Sequence, residues 1–159
     1  MRAPMERKKS TAPGTVVEKI DTRYLQTLLG YNARRAALTI ISLFVPRMAE
    51  FGLRPVDFSI LSVIGHNPGI TSKQLCSVLD LLPPNLVGKI NALEQRGLLE
   101  RHSHPSDRRA LGLHLTTEGQ LLMKQAEKSA FDLEIEAASG LSATERQALI
   151  RLLRKVYDR

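Results

Sequence analysis

The stretch HSHPSDRR at positions 102–109 gathers His102, His104, Asp107, Arg108 and Arg109 within eight residues. Guanidinium groups are permanent cations whose donors fork onto phosphate or carboxylate oxygens. A merely solvated loop needs no such concentration of charge, so the cluster points to a negative surface. Asp107 is placed to orient Arg109, which reduces the entropy lost on docking, and Arg108 is left as the side chain to insert. His102 and His104 add weaker contacts near neutral pH. Other chemistries find no support. No Gly-rich phosphate loop, nucleophile elbow or matched carboxylate pair occurs, so no catalytic residue and no cofactor are expected. His102-x-His104 lacks a third ligand, so no metal is expected either. Cys76 is the one cysteine; it forms no intramolecular disulfide and, beside Leu75, reads as a small buried hydrophobe.

The chain as a whole is basic. Lys and Arg number 23 against 16 Asp and Glu, a formal charge of +7 on 159 residues, which favours a polyanionic partner, most often nucleic acid, without specifying a fold. Residues 1–16 mix Pro, Gly, Ser and Lys and are expected to form a disordered basic tail. No apolar stretch follows that would make it a signal or an anchor, and the densest apolar run, Ile40–Val45, is far short of a membrane span. A cytoplasmic protein with no membrane partner is expected.

The elements that must position the cluster follow from periodicity and punctuation. From Val17, apolar residues recur at helical steps through Ile20, Tyr24, Leu28 and Tyr31 to Phe51; Pro46 should kink or break this element and Gly52 should end it. Arg54-Pro55 opens a second helix with Ile60, Leu61 and Ile64 buried. Asn67-Pro68-Gly69 is a turn, and Thr71 with Gln74 forms a capping box for a short helix that buries Leu75, Val78, Leu79 and Leu82. After Pro83-Pro84, Asn85 is placed to cap a helix with Leu86, Ile90 and Leu93 on one face and Gly97 just past its end. A hairpin follows, from Leu98 to His102 and from Arg109 to Leu115, with Leu111, Leu113 and Leu115 on its buried face. Thr116 caps a long helix to about Ala138, and a Ser142–Glu145 capping box starts the last one, striped by Leu149, Leu152, Leu153 and Val156.

Three short helices and a hairpin, in that order, make a winged helix-turn-helix. The expected fold is mostly α with a small β wing. The expected division is a helix-turn-helix lobe over 53–116 and a helical dimerisation region over 17–52 and 117–159. Long helices with broad apolar stripes and few partners within the chain imply a homodimer.

Asp107-x-Arg109-x-x-x-Leu113-x-Leu115-Thr116-x-x-Gly119, preceded by Leu93-Glu94-Gln95-Arg96-Gly97-Leu98-Leu99-Glu100-Arg101, resembles the wing signature and recognition-helix exit of the MarR family of transcriptional regulators. The resemblance runs from about Ile20 to Tyr157 and implies a dimer held by the first and last two helices. It implies a sequence-specific regulator of double-stranded DNA, in most cases a repressor, on a pseudopalindromic operator. The contact residues so implied are Ser72 and Arg101 with Pro84, Asn85, Val87, Gly88 and Lys89 on the fourth helix, and Asp107, Arg108 and Arg109 on the wing. This sequence departs from the usual Ser, Thr and Arg on the outward face of that helix. Asn85 can still read an adenine edge, Val87 a thymine methyl, and Lys89 a guanine or a phosphate, while Gly88 lets the backbone approach and the helix start offers N–H groups to phosphate. The alternative is a sequence-tolerant architectural protein or a winged helix used for protein contacts, which flat affinity across random duplexes would favour.

Family members commonly release DNA when a small molecule binds between the dimer helices and the DNA-binding lobe. Tyr31, Arg34 and Arg35 on the first helix suit a small aromatic acid or the phosphates of an acyl-coenzyme A thioester, and the stretch is loosely similar to regulators responsive to hydroxycinnamoyl thioesters. His66 is a further candidate. The plainer alternative is that Arg34 and Arg35 are helix charges facing solvent or DNA.

Overall fold

The computed structural model describes residues 20–103 and 111–158. It divides into two compact units, one ending at Arg35 and one beginning at Ala36.

In the first unit, α1 (Arg23–Gln26) is a single turn, and α2 (Leu29–Ala49) begins after a break. The break falls at Thr27 and Leu28, whose N–H groups bond the carbonyls of Tyr24 and Leu25 three residues back, while the Thr27 hydroxyl donates to Tyr24 O at 2.7 Å. These tight bonds end one helix, and Asn32 Nδ2 ties the next to it through the Gln26 and Leu28 carbonyls, both at 2.8 Å. In the part of α2 that belongs to the second unit, the expected alternative of a break at Pro46 does not occur; the helix continues through it to Ala49. Gly52, at φ 63°, then ends the element as expected, with Leu53 N–H returning to Met48 O at 3.0 Å.

The second unit is a winged helix with helical extensions. Its further elements are α3 (Pro55–His66), β1 (Ile70–Thr71), α4 (Ser72–Leu79), α5 (Pro83–Gln95), β2 (Leu99–Ser103), β3 (Leu111–Leu115), α6 (Thr117–Ala137) and α7 (Ala143–Tyr157). The capping boxes of α4 and α7 form as the sequence predicts. Gln74 N–H bonds Thr71 Oγ1 at 3.3 Å while Gln74 Oε1 receives Thr71 N–H at 2.9 Å, and Ser142 and Glu145 make the same exchange at 3.3 and 2.8 Å.

The sheet is antiparallel in the order β1-β3-β2, with Ile70 opposite Leu113 and Leu99 opposite Leu115. Strand β1 was not foreseen, because its two residues carry no alternation of their own and exist as a strand only against β3. One core runs beneath: Ile60, Leu61 and Ile64 of α3, Leu75 of α4, Leu86, Ile90 and Leu93 of α5, Leu113 and Leu115 of β3, and Met123 and Ala126 of α6. Three expected core residues lie outside it. Val78, Leu82 and Leu111 are 64%, 69% and 49% exposed. Cys76 is half-buried against the core.

Candidate nucleic-acid interface

Helix α5 is built to present one face outward. Leu86, Ile90 and Leu93 recur at four and three residues and are buried, so the helix is held by that side. Pro84, Asn85, Val87 and Gly88 are exposed, and so are Asn91 and Gln95. With 3.6 residues per turn, Pro84, Gly88, Asn91 and Gln95 form a line opposite the buried stripe. Asn91 and Gln95 lie beyond the first turns, to which the family's contact positions are confined. Their spacing from Pro84, seven and eleven residues, is the signal that would have found them. A methyl group added at Gly88 would meet nothing within 4 Å, so the outward face has a notch there.

The start of α5 differs from the expectation. Leu82, not Asn85, is the N-cap residue, and Pro83 and Pro84 fill the first two helical positions. Prolines have no N–H, and the first available ones, of Asn85 and Leu86, already bond Leu82 O at 3.0 and 3.2 Å. The helix start therefore offers no free backbone donor to a phosphate, and Asn85 acts through its exposed side chain alone.

Two cations named from the sequence are engaged within the protein. Lys89 Nζ lies 2.9 Å from Asp57 Oδ1 in the first turn of α3, with its side chain only 30% exposed. Arg101 on β2 bonds Glu94 Oε2 at 3.0 Å and also donates to Asn91 Oδ1, joining strand to helix. Ser72 is half-buried at the first position of α4. On the wing, His102 sits 2.9 Å from Glu100 and its ring lies 4.7 Å from that of His114. His104, Asp107, Arg108 and Arg109 lie outside the described residues.

Among the effector candidates, Tyr31 is half-buried on α2, with exposed Arg34 and Arg35 at the two helical neighbour positions three and four residues on. His66, in the last turn of α3, bonds Glu127 Oε1 at 3.0 Å; the same oxygen accepts from Ser62 at 2.7 Å. His66 and Glu127 rim a recess of about 270 Å³ between α3, β3 and α6, floored by Ile64, Leu115 and Met123. No group of His, Cys, Asp and Glu among the described residues could hold a metal ion. No described helix is long and apolar enough to cross a membrane.

Residues 51–110 match the MarR family model. A transcriptional regulatory protein named for the hcr operon of Thauera aromatica is 31% identical over 130 residues, spanning 81% of this chain and 78% of that one. The chain belongs to the MarR family. Among solved structures, the transcriptional repressor CouR bound to a 23-mer DNA duplex is 34% identical with a TM-score of 0.80, covering 87% of this chain and 98% of its own. CouR from Rhodococcus jostii RHA1 bound to p-coumaroyl-CoA is 25% identical with a TM-score of 0.74, covering 83% and 93%. This MarR-family protein is accordingly a DNA-binding transcriptional regulator and not an enzyme. The fold expected from the order of its elements, three short helices and a wing between long helices, is the one it has.

Proposed function

We propose that this regulator acts as a homodimer, reads a pseudopalindromic operator sequence-specifically, represses transcription there, and releases DNA on binding an aromatic acid or its coenzyme A thioester. The observation that carries this reading is α7, none of whose residues is buried. Leu149, Ile150, Leu152, Leu153 and Val156 remain 37–57% exposed along it, and Leu38, Ile41 and Val45 of α2 are 46–48% exposed. A stripe of that length is unfavourable in water, and a twofold copy of the same helices covers it with like chemistry. Two copies present two α5 faces, which sets half-site centres about one helical turn apart. Asn85 and Asn91 supply amides suited to an adenine edge, Val87 supplies apolar contact for a thymine methyl, and Arg108 supplies a wing contact beside the backbone.

The effector class is supported by the p-coumaroyl-CoA held by one CouR structure, together with Tyr31, Arg34 and Arg35 on α2. Release requires that the ligand bind the DNA-free conformation better than the DNA-bound one; affinity without that preference shifts nothing. Fluorescence anisotropy on duplexes from DNA flanking the regulator's own coding region tests the whole reading. The expected result is two chains per duplex by sedimentation, at least about a thousandfold preference over scrambled duplex, and release by p-coumaroyl-CoA or a related aryl thioester. Binding by single chains, or equal affinity for all duplexes, refutes it; release by no aromatic acid or thioester removes the effector part alone.

A further inference from the structure

We infer that Lys89, although it lies on the DNA-reading helix, is a positioning residue: its bridge to Asp57 sets the rotation of α5 about its own axis. This rests on the proposal that α5 reads sequence. Asp57 is the only buried polar or charged residue among the described residues, at 8% exposure, and its side chain is 12% exposed. Its carboxylate is held at both oxygens, Oδ1 by Lys89 at 2.9 Å and Oδ2 by the Arg54 N–H at 3.3 Å. The anchor is therefore fixed to the backbone at the start of α3 and does not swing with a surface side chain.

The remaining contacts of α5 with the core are made by Leu86, Ile90 and Leu93. Apolar packing of this kind is strong but non-directional, and tolerates a small roll of the helix. Polar pins do not. One stands at Lys89, on the flank of the buried stripe; the other is the Arg101 link to Glu94 and Asn91 nearer the C-terminal end. A roll of roughly 10° displaces an atom about 6 Å from the helix axis by about 1 Å, enough to spoil a hydrogen bond from Asn85 or Asn91 to a base edge. The Asp57 carboxylate neutralises Lys89 locally, so the ammonium is not a free phosphate contact in this conformation.

Three variants separate the roles. Lys89→Met removes the cation, Asp57→Asn removes the anion and frees Lys89, and the double variant Asp57→Leu with Lys89→Met replaces the pair by apolar groups without leaving a lone buried charge. For a positioning role, all three weaken operator binding by roughly tenfold, the loss of a single base contact. Lys89→Met and the double variant also leave binding to random duplex, and the slope of log affinity against log salt, unchanged. Circular dichroism on the double variant shows that the fold is intact. A slope reduced by about one for Lys89→Met identifies a phosphate contact and overturns the inference. So does an Asp57→Asn protein that binds operator as well as wild type or better, or a double variant that discriminates like wild type. If wild type itself shows no sequence preference, the proposed function fails. The positioning role is then decided by chemical shifts of the Asn85 and Asn91 side-chain amides, which move in the double variant if the pair orients α5 and overturn the inference if they stay in place.

Discussion

Gly119, the third residue of α6, is where a substitution that ordinary helix propensity favours should be among the most damaging. In an exposed helix interior, Gly→Ala stabilises by about 1 kcal/mol. Here a Cβ would lie 2.0 Å from Leu98 O and 3.0 Å from Leu98 C, inside any permitted contact. Nor can the carbonyl swing aside, because it accepts the Thr116 N–H at 3.2 Å, while the Thr116 hydroxyl donates to Gly97 O at 2.6 Å and accepts the Gly119 N–H at 3.0 Å. At a contact this short, forcing the methyl in costs about 3 kcal/mol, the top of the usual overpacking range, and about 1–3 kcal/mol more in weakened hydrogen bonds. Set against the gain of about 1 kcal/mol from propensity, the net loss for Gly119→Ala is about 3–5 kcal/mol. For a chain of this size that lowers Tm by roughly 6–20 °C, read by differential scanning calorimetry at fixed protein concentration, since the proposed dimer would have a concentration-dependent Tm. A Gly119→Ala protein that melts at or above the wild-type temperature refutes the claim that backbone contact dictates this glycine.

The contrasting glycine is Gly88, where an added methyl meets open space. Gly88→Ala should leave stability unchanged or raise it by up to about 1 kcal/mol while weakening DNA binding, because the methyl fills the notch on the outward face; paired calorimetry and anisotropy check both signs. Arg108→Ala should weaken binding to duplexes of any core sequence alike and lower the salt slope by about one for each arginine lost, measured from 50 to 200 mM salt. Ser142 N–H and hydroxyl groups hold the exposed Glu145 carboxyl below its ordinary pKa of 4.5. A lowered folded-state pKa means the cap's contribution is fully present above the unfolded value and is lost as pH falls through the folded one. Wild type should therefore lose helicity in α7 on acidification below about pH 4.5, whereas Glu145→Gln should show a flatter response by circular dichroism over the same range.

Much of the fold was legible because its signals are local. Thr71 with Gln74, Ser142 with Glu145, and Thr116 with Gly119 act across three residues. Gly52 and Gly97 adopt φ of 63° and 70°, conformations that few other residue types tolerate. What the sequence hid was non-local or a matter of competing local choices. Two-residue β1 depends on β3, more than forty positions later in the chain. The Lys89–Asp57 bridge spans 32 residues, so nothing near Lys89 betrays it. At the start of α5 Leu82 and Asn85 compete for the cap; the fixed φ of two successive prolines moves the helix start ahead of Asn85 and removes the donors expected there. The break at Thr27 arises from hydrogen bonds three residues back that compete with the next helical turn, a balance that apolar periodicity does not register.

Under the proposed function, stability and recognition fall to different residues of α5. Leu86, Ile90 and Leu93 are almost wholly buried, and truncating any of them should cost about 2–5 kcal/mol. The outward line of Pro84, Gly88, Asn91 and Gln95 supports no core at all. A half-buried ion pair between those two faces is a poor source of stability, since the desolvation of its charges offsets most of their attraction. A carboxylate buried at the root of α3 and bonded at both oxygens is therefore better explained by direction than by energy. On the inference above it fixes where the outward line points, which apolar packing leaves loose, and with α5 reading base edges as proposed, that angle is the quantity on which discrimination depends.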